Sequence, residues 1–574
     1  MRILSRMILQ ISNRSCVLLL FLCASVAKTN AADGFTQLSE NFWAWRAQEQ
    51  PFSEDDMPRI DRAPDFAITW SQTAVKKRRQ QLADFEQRWS HLTPASGAPI
   101  PERVDYRLIG SALARVRWEL DIEQAWKRNP EFYVDQTLGA MYILLLPPPP
   151  FSAERQRQII SRLESVPATL RAAQENLTDM RQPFALLAID ALNDLPSRMQ
   201  KMQSALASQL TSENNAVLAK AAAAAVPAIT QYRAWLQTRV PSMRKDTAIG
   251  REKYIFFLRN VALLPYSPEQ LLAMSRQELS RSFAFESYER NRDAELPALP
   301  LFATQSAQIE QEKTDEDDIR ELLSKQHLLT VPGWMKHYRN LPLPDYVAPF
   351  ESLGVTDDLT GPARLDQDGT SYIRVPNPNL GFFSLSTARD PRPIIVHEGV
   401  PGHYFQLTLG WAHSDPIRRH YYDSGANEGI GFYAEEMMLE AGLFDNKPRT
   451  REIIYSFMRL RALRVEVDVK LALGLFTLRQ GADYLAETVP MDRGTALEEA
   501  SLFASSPGQA ISYQIGKLQI TQLLADARRA QGDSFSLLRF NDFVWGNGNV
   551  PIALQRWEML GDAHDVPVAV VAPK

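Results

Sequence analysis

Cysteine is nearly absent from this chain. The 574 residues contain two, Cys16 and Cys23, and both stand near the amino terminus. The rest of the sequence has no thiol to form a disulfide, to hold a metal as a thiolate or to attack a substrate. A disulfide-stapled fold and cysteine-dependent catalysis are therefore excluded for everything that follows these two residues.

An excess of basic charge is also lacking. The chain has 63 Lys and Arg against 68 Asp and Glu, a formal net charge of −5. Residues 1–32 contribute four positive charges and no negative ones, so their removal would leave a net charge of −9. Nucleic acid binds surfaces on which Lys and Arg are concentrated. We therefore predict no nucleic-acid partner.

Long apolar runs are missing beyond the first residues, and no later stretch reaches the ~20 apolar residues that span a bilayer. Residues 1–32 have the layout of a secretory signal peptide instead. Three arginines begin it, the uncharged run Cys16–Val26 follows, and small residues suitable for cleavage end it, namely Ala27, Ala31 and Ala32. We predict a signal peptide over 1–32, a periplasmic or secreted protein, and no stable membrane insertion after signal removal.

A membrane anchor is the alternative interpretation of this segment, but its apolar run is well short of ~20 residues. Attachment of a lipid at Cys23 is disfavoured, because the bulky Leu22 stands where a small residue is expected. Export with cleavage is therefore the favoured interpretation.

The part that follows the signal, roughly 540 residues, exceeds what one simple core usually supports, so two lobes are expected. Residues 33–300 show apolar positions at helical spacing, as in the series Leu218-Ala222-Val226-Ile229. The four prolines Pro147–Pro150 cannot be helical and predict a rigid connection between helices. We place a boundary near residue 300, between an amino-terminal helical region and a catalytic region over 301–574.

The composition changes between Leu341 and Asp390, a segment rich in Pro, Gly, Asp and Asn. Two short runs within it, Ser371–Val375 and Phe382–Leu385, have the composition of strands. The helical pattern resumes at Pro393. The predicted fold is therefore mostly α, large and two-lobed, with a small β-sheet at about 370–386 whose edge is suited to pairing with an extended peptide.

Histidine is scarce, with eight in the chain, yet four of them fall in one window: His397, His403, His413 and His420. The first is followed directly by Glu398. A cluster of a scarce ligand type beside a carboxylate is what a metal site requires. An isolated His-Glu pair is common, so the pair by itself is weak support.

The spacing of the first two histidines differs from that of the common zinc-hydrolase helix. There, the histidines are four residues apart and lie on one face. Six residues separate His397 from His403, which on an unbroken helix puts their side chains about 120° apart. Pro401 cannot donate a backbone hydrogen bond and Gly402 tolerates unusual backbone angles. A break at Pro401-Gly402 is therefore predicted to bring the two histidines together.

A third ligand is expected to be acidic and to come from a second helix. Glu428 and Glu435 are seven residues apart and share one helical face. Such a face is often solvated surface, but two carboxylates with apolar flanks need a partner. Zinc held by two histidines and a glutamate leaves a position for water, whose pKa falls towards ~7, and Glu398 is placed to accept its proton.

Three ordered motifs resemble those of the bacterial DUF885 family, whose members are similar to zinc metallopeptidases of the gluzincin type. They read HEGVPGHYFQ at 397–406, EGIGFYAE at 428–435 and PGQAISYQIG at 507–516. The resemblance covers most of the chain after the signal. It implies a metallopeptidase-like helical fold with the small sheet beside the active-site cleft.

Carried over by position, the resemblance implies that His397, His403 and Glu428 hold Zn²⁺. It implies that Glu398 is the general base. It also implies that Tyr513 donates a hydrogen bond to the oxyanion of the tetrahedral intermediate.

The chain departs from the family pattern at several positions. Tyr404, Ile430 and Gly431 replace His, Trp and Ala of the first two motifs. Polar residues typical of the family are replaced at Ala472, Leu502, Phe503 and Asn541, which predicts altered specificity and leaves retention of activity open. If the Arg missing at Leu502 binds a substrate carboxylate, then Arg461, Arg464 and Lys517 are the nearby candidates to replace it.

The sequence therefore predicts an exported, zinc-dependent hydrolase, a peptidase that acts on short peptides or another amide-containing substrate. Two alternatives stay open: a catalytically silent peptide-binding relative, and a metal-dependent amidase or esterase with a non-peptide substrate. The bond cleaved, the preference for chain ends, the metal loaded and the oligomeric state are not determined at this stage.

Overall fold

The computed structural model describes residues 34–52, 61–63, 66 and 68–573. The predicted signal peptide, 1–32, lies outside the described residues. The described chain is mostly helical and contains one small sheet, which confirms the predicted fold class. No helix in the described ranges is both long and apolar enough to cross a membrane.

The helices are numbered in chain order. They are α1 (34–49), α2 (Gln72–His91), α3 (Ile100–Arg117), α4 (Ala125–Arg128), α5 (Phe132–Val134), α6 (Ala140–Tyr142), α7 (Ala153–Asn176), α8 (Gln182–Ala191), α9 (Leu195–Leu206), α10 (Ser212–Arg239), α11 (Arg251–Phe256), α12 (Pro268–Arg292), α13 (Gln305–Lys325), α14 (Phe382–Thr387), α15 (Arg392–Ile394), α16 (His403–Trp411), α17 (Pro416–His420), α18 (Ser424–Glu440), α19 (Arg449–Ala472), α20 (Leu478–Thr488), α21 (Arg493–Ser505), α22 (Ser512–Gln531), α23 (Leu537–Gly546) and α24 (Ile552–Leu560). Wider π-helical turns occur at Trp118–Ile122, Asp135–Gly139, Phe257–Val261 and Ile395–Gly399, and 3₁₀ turns at Val240–Ser242, Ala348–Leu353 and Gly532–Ser534.

In helix α10 of the amino-terminal region, the apolar residues at helical spacing form the buried face of the helix. It begins at the N-cap Thr211, whose hydroxyl accepts the N–H of Asn214 at 3.2 Å. Its buried stripe includes Leu218, Ala222 and Ile229, as the sequence predicted, and packs against α7. The prolines Pro147–Pro150 form the predicted non-helical connection between α6 and α7.

The sheet has three strands in the order β1-β3-β2. They are β1 (Tyr338–Pro342), β2 (Asp357–Asp358) and β3 (Gly369–Ile373). β1 runs parallel to β3 and β2 runs antiparallel to it, with Asp357 opposite Ser371. Both edges of β3 are therefore occupied, so an extended peptide cannot add to this strand, and the short β2 is an outer strand of the sheet.

The prediction of a strand at Phe382–Leu385 is wrong, because these residues begin α14. Asp492 accepts the backbone N–H of Phe382 at 3.1 Å, which satisfies a donor at the start of the helix. The aromatic rings of Phe382 and Phe383 then pack on Phe457 of α19. A short apolar run is compatible with either structure, and here tertiary packing decides.

Elements from both sides of residue 300 share buried contacts. Helix α12 lies along α19, and the Ser275 hydroxyl donates to the carbonyl of Ala462 at 2.7 Å. The phenol of Tyr254 donates to Asp468 at 2.8 Å. The predicted division into 33–300 and 301–574 stays a prediction, but the two halves are joined through the core that surrounds α19.

Candidate metal centre

The segment that carries the first histidine is a widened helical turn. Ile395–Gly399 is π-helical, and the N–H of Val400 donates to the carbonyl of Ile395 at 2.8 Å. The chain is extended at Val400, and a new helix, α16, begins at His403. The predicted interruption between the two histidines is therefore confirmed.

Gly402 is required for this interruption by its close approach to the preceding turn. A Cβ atom at this position would lie 1.8 Å from the carbonyl oxygen of His397. The indole N–H of Trp545 donates to the carbonyl of Pro401 at 2.6 Å and holds the same turn from the other side. A side chain at residue 402 is excluded unless this backbone moves.

The interruption brings the imidazoles of His397 and His403 together. Their ring centroids are 4.7 Å apart, and the ring planes are inclined at 75°. Both Nε2 atoms approach the same oxygen, Oε2 of Glu428, at 3.5 and 3.1 Å. All three side chains are buried, at 3–5% exposure. The three predicted metal ligands therefore converge on one point.

Helix α18 supplies Glu428 and packs closely against both histidine segments. Gly431, one turn further along, faces the two rings: a Cβ atom there would lie 3.1 Å from Cε1 of each histidine. The two imidazoles are thus confined between α18 and their own backbone. Such confinement limits the orientations that the two Nε2 atoms can adopt.

The charges and hydrogen bonds of His397, His403 and Glu428 favour a positive charge at the point where the three side chains meet. Burial alone would raise the pKa of Glu428, but the charge of His403 and hydrogen bonds from both histidines hold it well below its usual range. Burial alone would lower the pKa of His397, but hydrogen bonds to Glu428 and Glu435 raise it to about 9. A buried carboxylate whose neighbours are imidazoles is a favourable environment for a cation.

Glu435 takes a different position from Glu428. Its Oε1 lies 2.7 Å from Nδ1 of His397, on the opposite side of the ring from Glu428, and accepts a hydrogen bond from Arg461 at 3.0 Å. Its pKa is lowered, because Arg461 and His397 outweigh the effect of burial. The structure therefore puts Glu428, the carboxylate that the family resemblance implies, against both histidines, whereas Glu435 contacts one of them from behind.

Glu398 follows His397 and is the more accessible carboxylate of the site. Its Oε2 lies 4.0 Å from Nε2 of His403, and its side chain is 28% exposed to the adjoining cavity. Asp357 of β2 lines the same cavity. Partial burial and the negative charge of Glu398 raise the pKa of Asp357 above its usual range. Asp357 was missed by sequence reasoning, since nothing in the loop before β3 marks it as close to residue 398.

Tyr513 lies in the wall of the site, at the start of α22. Its ring is parallel to that of His397, with an interplanar angle of 9° and a centroid separation of 5.9 Å. The guanidinium of Arg464 lies 4.4 Å from the centre of the Tyr513 ring and donates two bonds of 2.6 Å to Glu499. The loop before α22 is held by Asp468, which accepts the N–H groups of Gly508 and Ala510 at 2.9 and 3.0 Å.

The positions at which family polar residues are replaced do not all face the site. Ala472 and Phe503 are buried in apolar clusters. Asn541 is fully buried and donates to the carbonyl of Leu328 at 2.8 Å. Leu502 lines the cavity. Of these replacements, the change at Leu502 therefore bears most directly on ligand binding.

The cavity in front of the site has a volume of about 2150 Å³. Its lining includes His397, Glu398, His403, Glu428 and Tyr513, and it also includes Tyr142 and Pro147–Pro150 from the amino-terminal half. Pockets for single small molecules are typically about 300–1,000 Å³. This cavity has room for a longer, extended ligand.

A second group of His and carboxylate side chains lies outside this cavity site, at Glu316, Asp317 and His337. Nδ1 of His337 is 2.8 Å from Glu316, but the same carboxylate also pairs with Arg320 at 2.7 Å and with Arg339 at 3.4 Å. The arginines already neutralise this group. The carboxylate of Glu316 is thus paired with arginines, whereas that of Glu428 faces two imidazoles.

The comparisons with other proteins agree with the family motifs. The family model DUF885, described as a bacterial protein of unknown function, matches residues 61–559. A candidate lipoprotein of unknown function from Shewanella oneidensis has a similar fold, with a TM-score of 0.67 at 17% identity, over 93% of this chain and 98% of that one. A candidate lipoprotein from Colwellia psychrerythraea has a TM-score of 0.72 at 17% identity, over 92% and 98% of the two chains. No curated protein matches the sequence.

Proposed function

This chain belongs to the DUF885 family of bacterial proteins of unknown function, and from its site we propose that it is an exported zinc-dependent hydrolase that cleaves peptide bonds in short peptides. The observation that carries the proposal is the approach of Nε2 of His397 and Nε2 of His403 to one oxygen of Glu428, in the wall of a large cavity. The export signal predicted over 1–32 places the reaction in the periplasm or outside the cell.

The donor set fits zinc. Two imidazole nitrogens and one carboxylate oxygen are the protein ligands of many hydrolytic zinc sites. Glu435 supports His397 through its second ring nitrogen, as carboxylates commonly do behind a zinc-binding histidine. When bound, zinc supplies Lewis acidity and lowers the pKa of a water molecule towards ~7.

Glu398 is the proposed general base and acid. It is the accessible carboxylate beside the ligands, 4.0 Å from His403. In this role it accepts a proton from the attacking water and transfers it to the leaving amine. Tyr513, parallel to the ring of His397, is the proposed donor to the oxyanion, a role that it takes from its position in the third family motif.

The size of the cavity supports a peptide substrate. A volume of about 2150 Å³ holds several residues of an extended chain, and walls from both halves of the protein surround it. A folded protein substrate would have to unfold locally to reach Glu398. A silent peptide-binding protein and an amidase or esterase with a non-peptide substrate are the competing functions.

Zinc analysis and peptide digestion of the purified protein test the proposal. We expect about one equivalent of zinc and cleavage of a short-peptide library, with turnover reduced by ~10²-fold or more in Glu398→Gln. Because His397, His403 and Glu428 are unchanged in this variant, it should keep its zinc. Less than about a tenth of an equivalent of zinc after reconstitution would contradict the proposal. Full zinc with no cleavage by the unsubstituted protein would favour the silent binding protein.

A further inference from the structure

Two arginines of α19 line the cavity beside Tyr513, and they differ in how far they are neutralised. Arg464 donates two hydrogen bonds of 2.6 Å to Glu499, so its guanidinium has a carboxylate of its own. Arg461 donates a single bond, 3.0 Å long, to Oε1 of Glu435. That oxygen also lies 2.7 Å from Nδ1 of His397, so Arg461 shares this carboxylate with a proposed zinc ligand.

Two nitrogens of Arg461 are left with no acceptor among the described residues. Its side chain is 3% exposed, and the N–H groups at Nε and Nη1 are buried with no hydrogen-bond partner within the part of the chain that the structure describes. Four aromatic rings surround it, with centroids 5.1–5.9 Å from the guanidinium carbon: Phe383, Phe432, Phe457 and Tyr513. The rings stabilise the cation but do not replace an acceptor, and a buried donor without an acceptor is unfavourable.

The chemistry of the missing partner follows from the guanidinium itself. Its planar fork of N–H groups matches the two oxygens of a carboxylate, and an anion completes the neutralisation that Glu435 begins. Apolar side chains also line this part of the cavity, namely Phe383, whose ring lies 5.9 Å from the guanidinium, and Leu502. A carboxylate that carries an apolar side chain therefore fits this end of the cavity.

The position of Arg461 relative to the site indicates which carboxylate this is. One oxygen of Glu435 separates Nη2 of Arg461 from Nδ1 of His397. Consecutive residues of an extended peptide advance by about 3.3–3.6 Å. A carboxylate at Arg461 is therefore about one or two residues away from a peptide bond that is held at His397.

We propose that Arg461 binds the carboxyl-terminal carboxylate of the peptide, so that cleavage takes place one or two residues from the carboxyl terminus. This inference rests on the proposed hydrolase function and narrows its substrate class to peptides with a free carboxyl end. Lys517, which the sequence also suggests as a carboxylate-binding residue, pairs with Glu278 at 3.2 Å and Glu436 at 2.7 Å and is not part of the cavity lining.

Binding to the zinc-loaded, full-length Glu398→Gln variant tests the inference without requiring turnover. The probes are the tripeptide Ala-Ala-Leu with a free carboxylate and the same tripeptide as its carboxyl-terminal amide, compared by calorimetry. We expect the free acid to bind about 10- to 100-fold more tightly, as for a charge-assisted hydrogen bond. Adding Arg461→Gln should abolish this preference, while Gln still donates to Glu435.

Arg459→Gln is the matched control in the same background. Arg459 lies on the same helix, is also buried, and pairs with Glu286 at 2.6 Å away from the cavity. The preference for the acid should survive this change. Equal affinity for acid and amide, or no binding of the acid, overturns the inference even if Arg461→Gln fails to fold.

Cleavage by the unsubstituted protein separates this inference from the proposed function. Preferential binding of the acid with no cleavage of any peptide supports the carboxylate site and contradicts the hydrolase proposal. Cleavage of acid and amide at equal rates supports the hydrolase and contradicts the role of Arg461.

Discussion

Glu428 and Glu435 stand on one face of α18, yet their surroundings give them different roles. Glu428 faces the Nε2 atoms of both histidines, whereas Glu435 contacts Nδ1 of His397 and is held by Arg461. The spacing of seven residues predicts that they share a face. It does not predict which of them meets two imidazoles, because that depends on where α18 lies relative to α16.

Substituting Glu435 by Gln tests its supporting role. The change keeps the volume but removes the charge that orients His397, so we expect zinc affinity to fall by about 10- to 100-fold. Competition with a chromogenic chelator measures this. Glu436→Gln is the control on the same helix, since Glu436 pairs with Lys517 and Arg281 away from the histidines. Unchanged affinity in Glu435→Gln would contradict the assignment.

At the scale of single elements, the sequence predicts that the helix is interrupted between the two histidines, but not the detailed geometry of the interruption. Pro401 and Gly402 indicate that a regular helix cannot continue. They do not indicate that a π-helical turn precedes them or that α16 begins at His403. Those features depend on contacts such as the bond from Trp545, which comes from a helix more than a hundred residues later.

Gly402→Ala tests the break directly. With a Cβ atom 1.8 Å from the carbonyl oxygen of His397, the turn must open, and we expect a loss of about 1–3 kcal/mol or more in the free energy of unfolding. Zinc binding should weaken with it. Gly410→Ala in α16 is the control: its Cβ would lie 3.9 Å from the nearest atom, so stability should be unchanged or increase by up to ~1 kcal/mol. Equal effects of the two changes would contradict the close approach.

The amino end of α18 provides a pH-dependent test. Asp423 accepts the N–H of Ala426 at 2.9 Å, and burial raises its pKa to about 7 from an ordinary 3.8. The folded state holds this proton more tightly than the unfolded state. The protonated Asp423 therefore makes its full contribution to the free energy of unfolding below about pH 4, and this contribution is lost as the pH rises through 7.

Comparison of the native protein with Asp423→Asn isolates this contribution, since Asn keeps an acceptor for the helix end but does not titrate. Between about pH 5.5 and about pH 8 we expect the native protein to lose on the order of 2 kcal/mol relative to the variant. Denaturant unfolding of metal-free protein at the two pH values measures the difference. Parallel pH profiles would show that Asp423 is not the titrating group.

For the whole molecule, the cavity and the cores are built jointly by the two predicted regions. The apolar cluster around Phe42 and Val104 includes Ile417 and Trp557, and Arg418 pairs with Asp105 at 3.0 Å. Tyr254 likewise contributes to the support of Asp468 and of the loop before Tyr513. The carboxyl-terminal half therefore depends on the amino-terminal half for buried surface.

A fragment over 301–574 tests this dependence. It would expose the faces of α17, α19 and α24 that are buried in the whole chain, so we expect no cooperative thermal transition by circular dichroism, in contrast to residues 33–574. A sharp transition from a monomeric fragment would show that 301–574 folds independently. It would then support a true domain boundary near residue 300.

The sequence by itself determined the helical class, the family, the interrupted histidine pair and the identity of the groups that converge, because these depend on local spacing and on residue types with few alternative uses. Only the tertiary structure decided that Phe382–Thr387 is helical, that Glu435 lies between His397 and Arg461, and that Asp357 lies in the same cavity as Glu398. It also decided that Arg461 keeps donors with no acceptor among the described residues. Each of these depends on contacts between residues far apart in the chain, and the free energy of such contacts is not encoded in any local pattern.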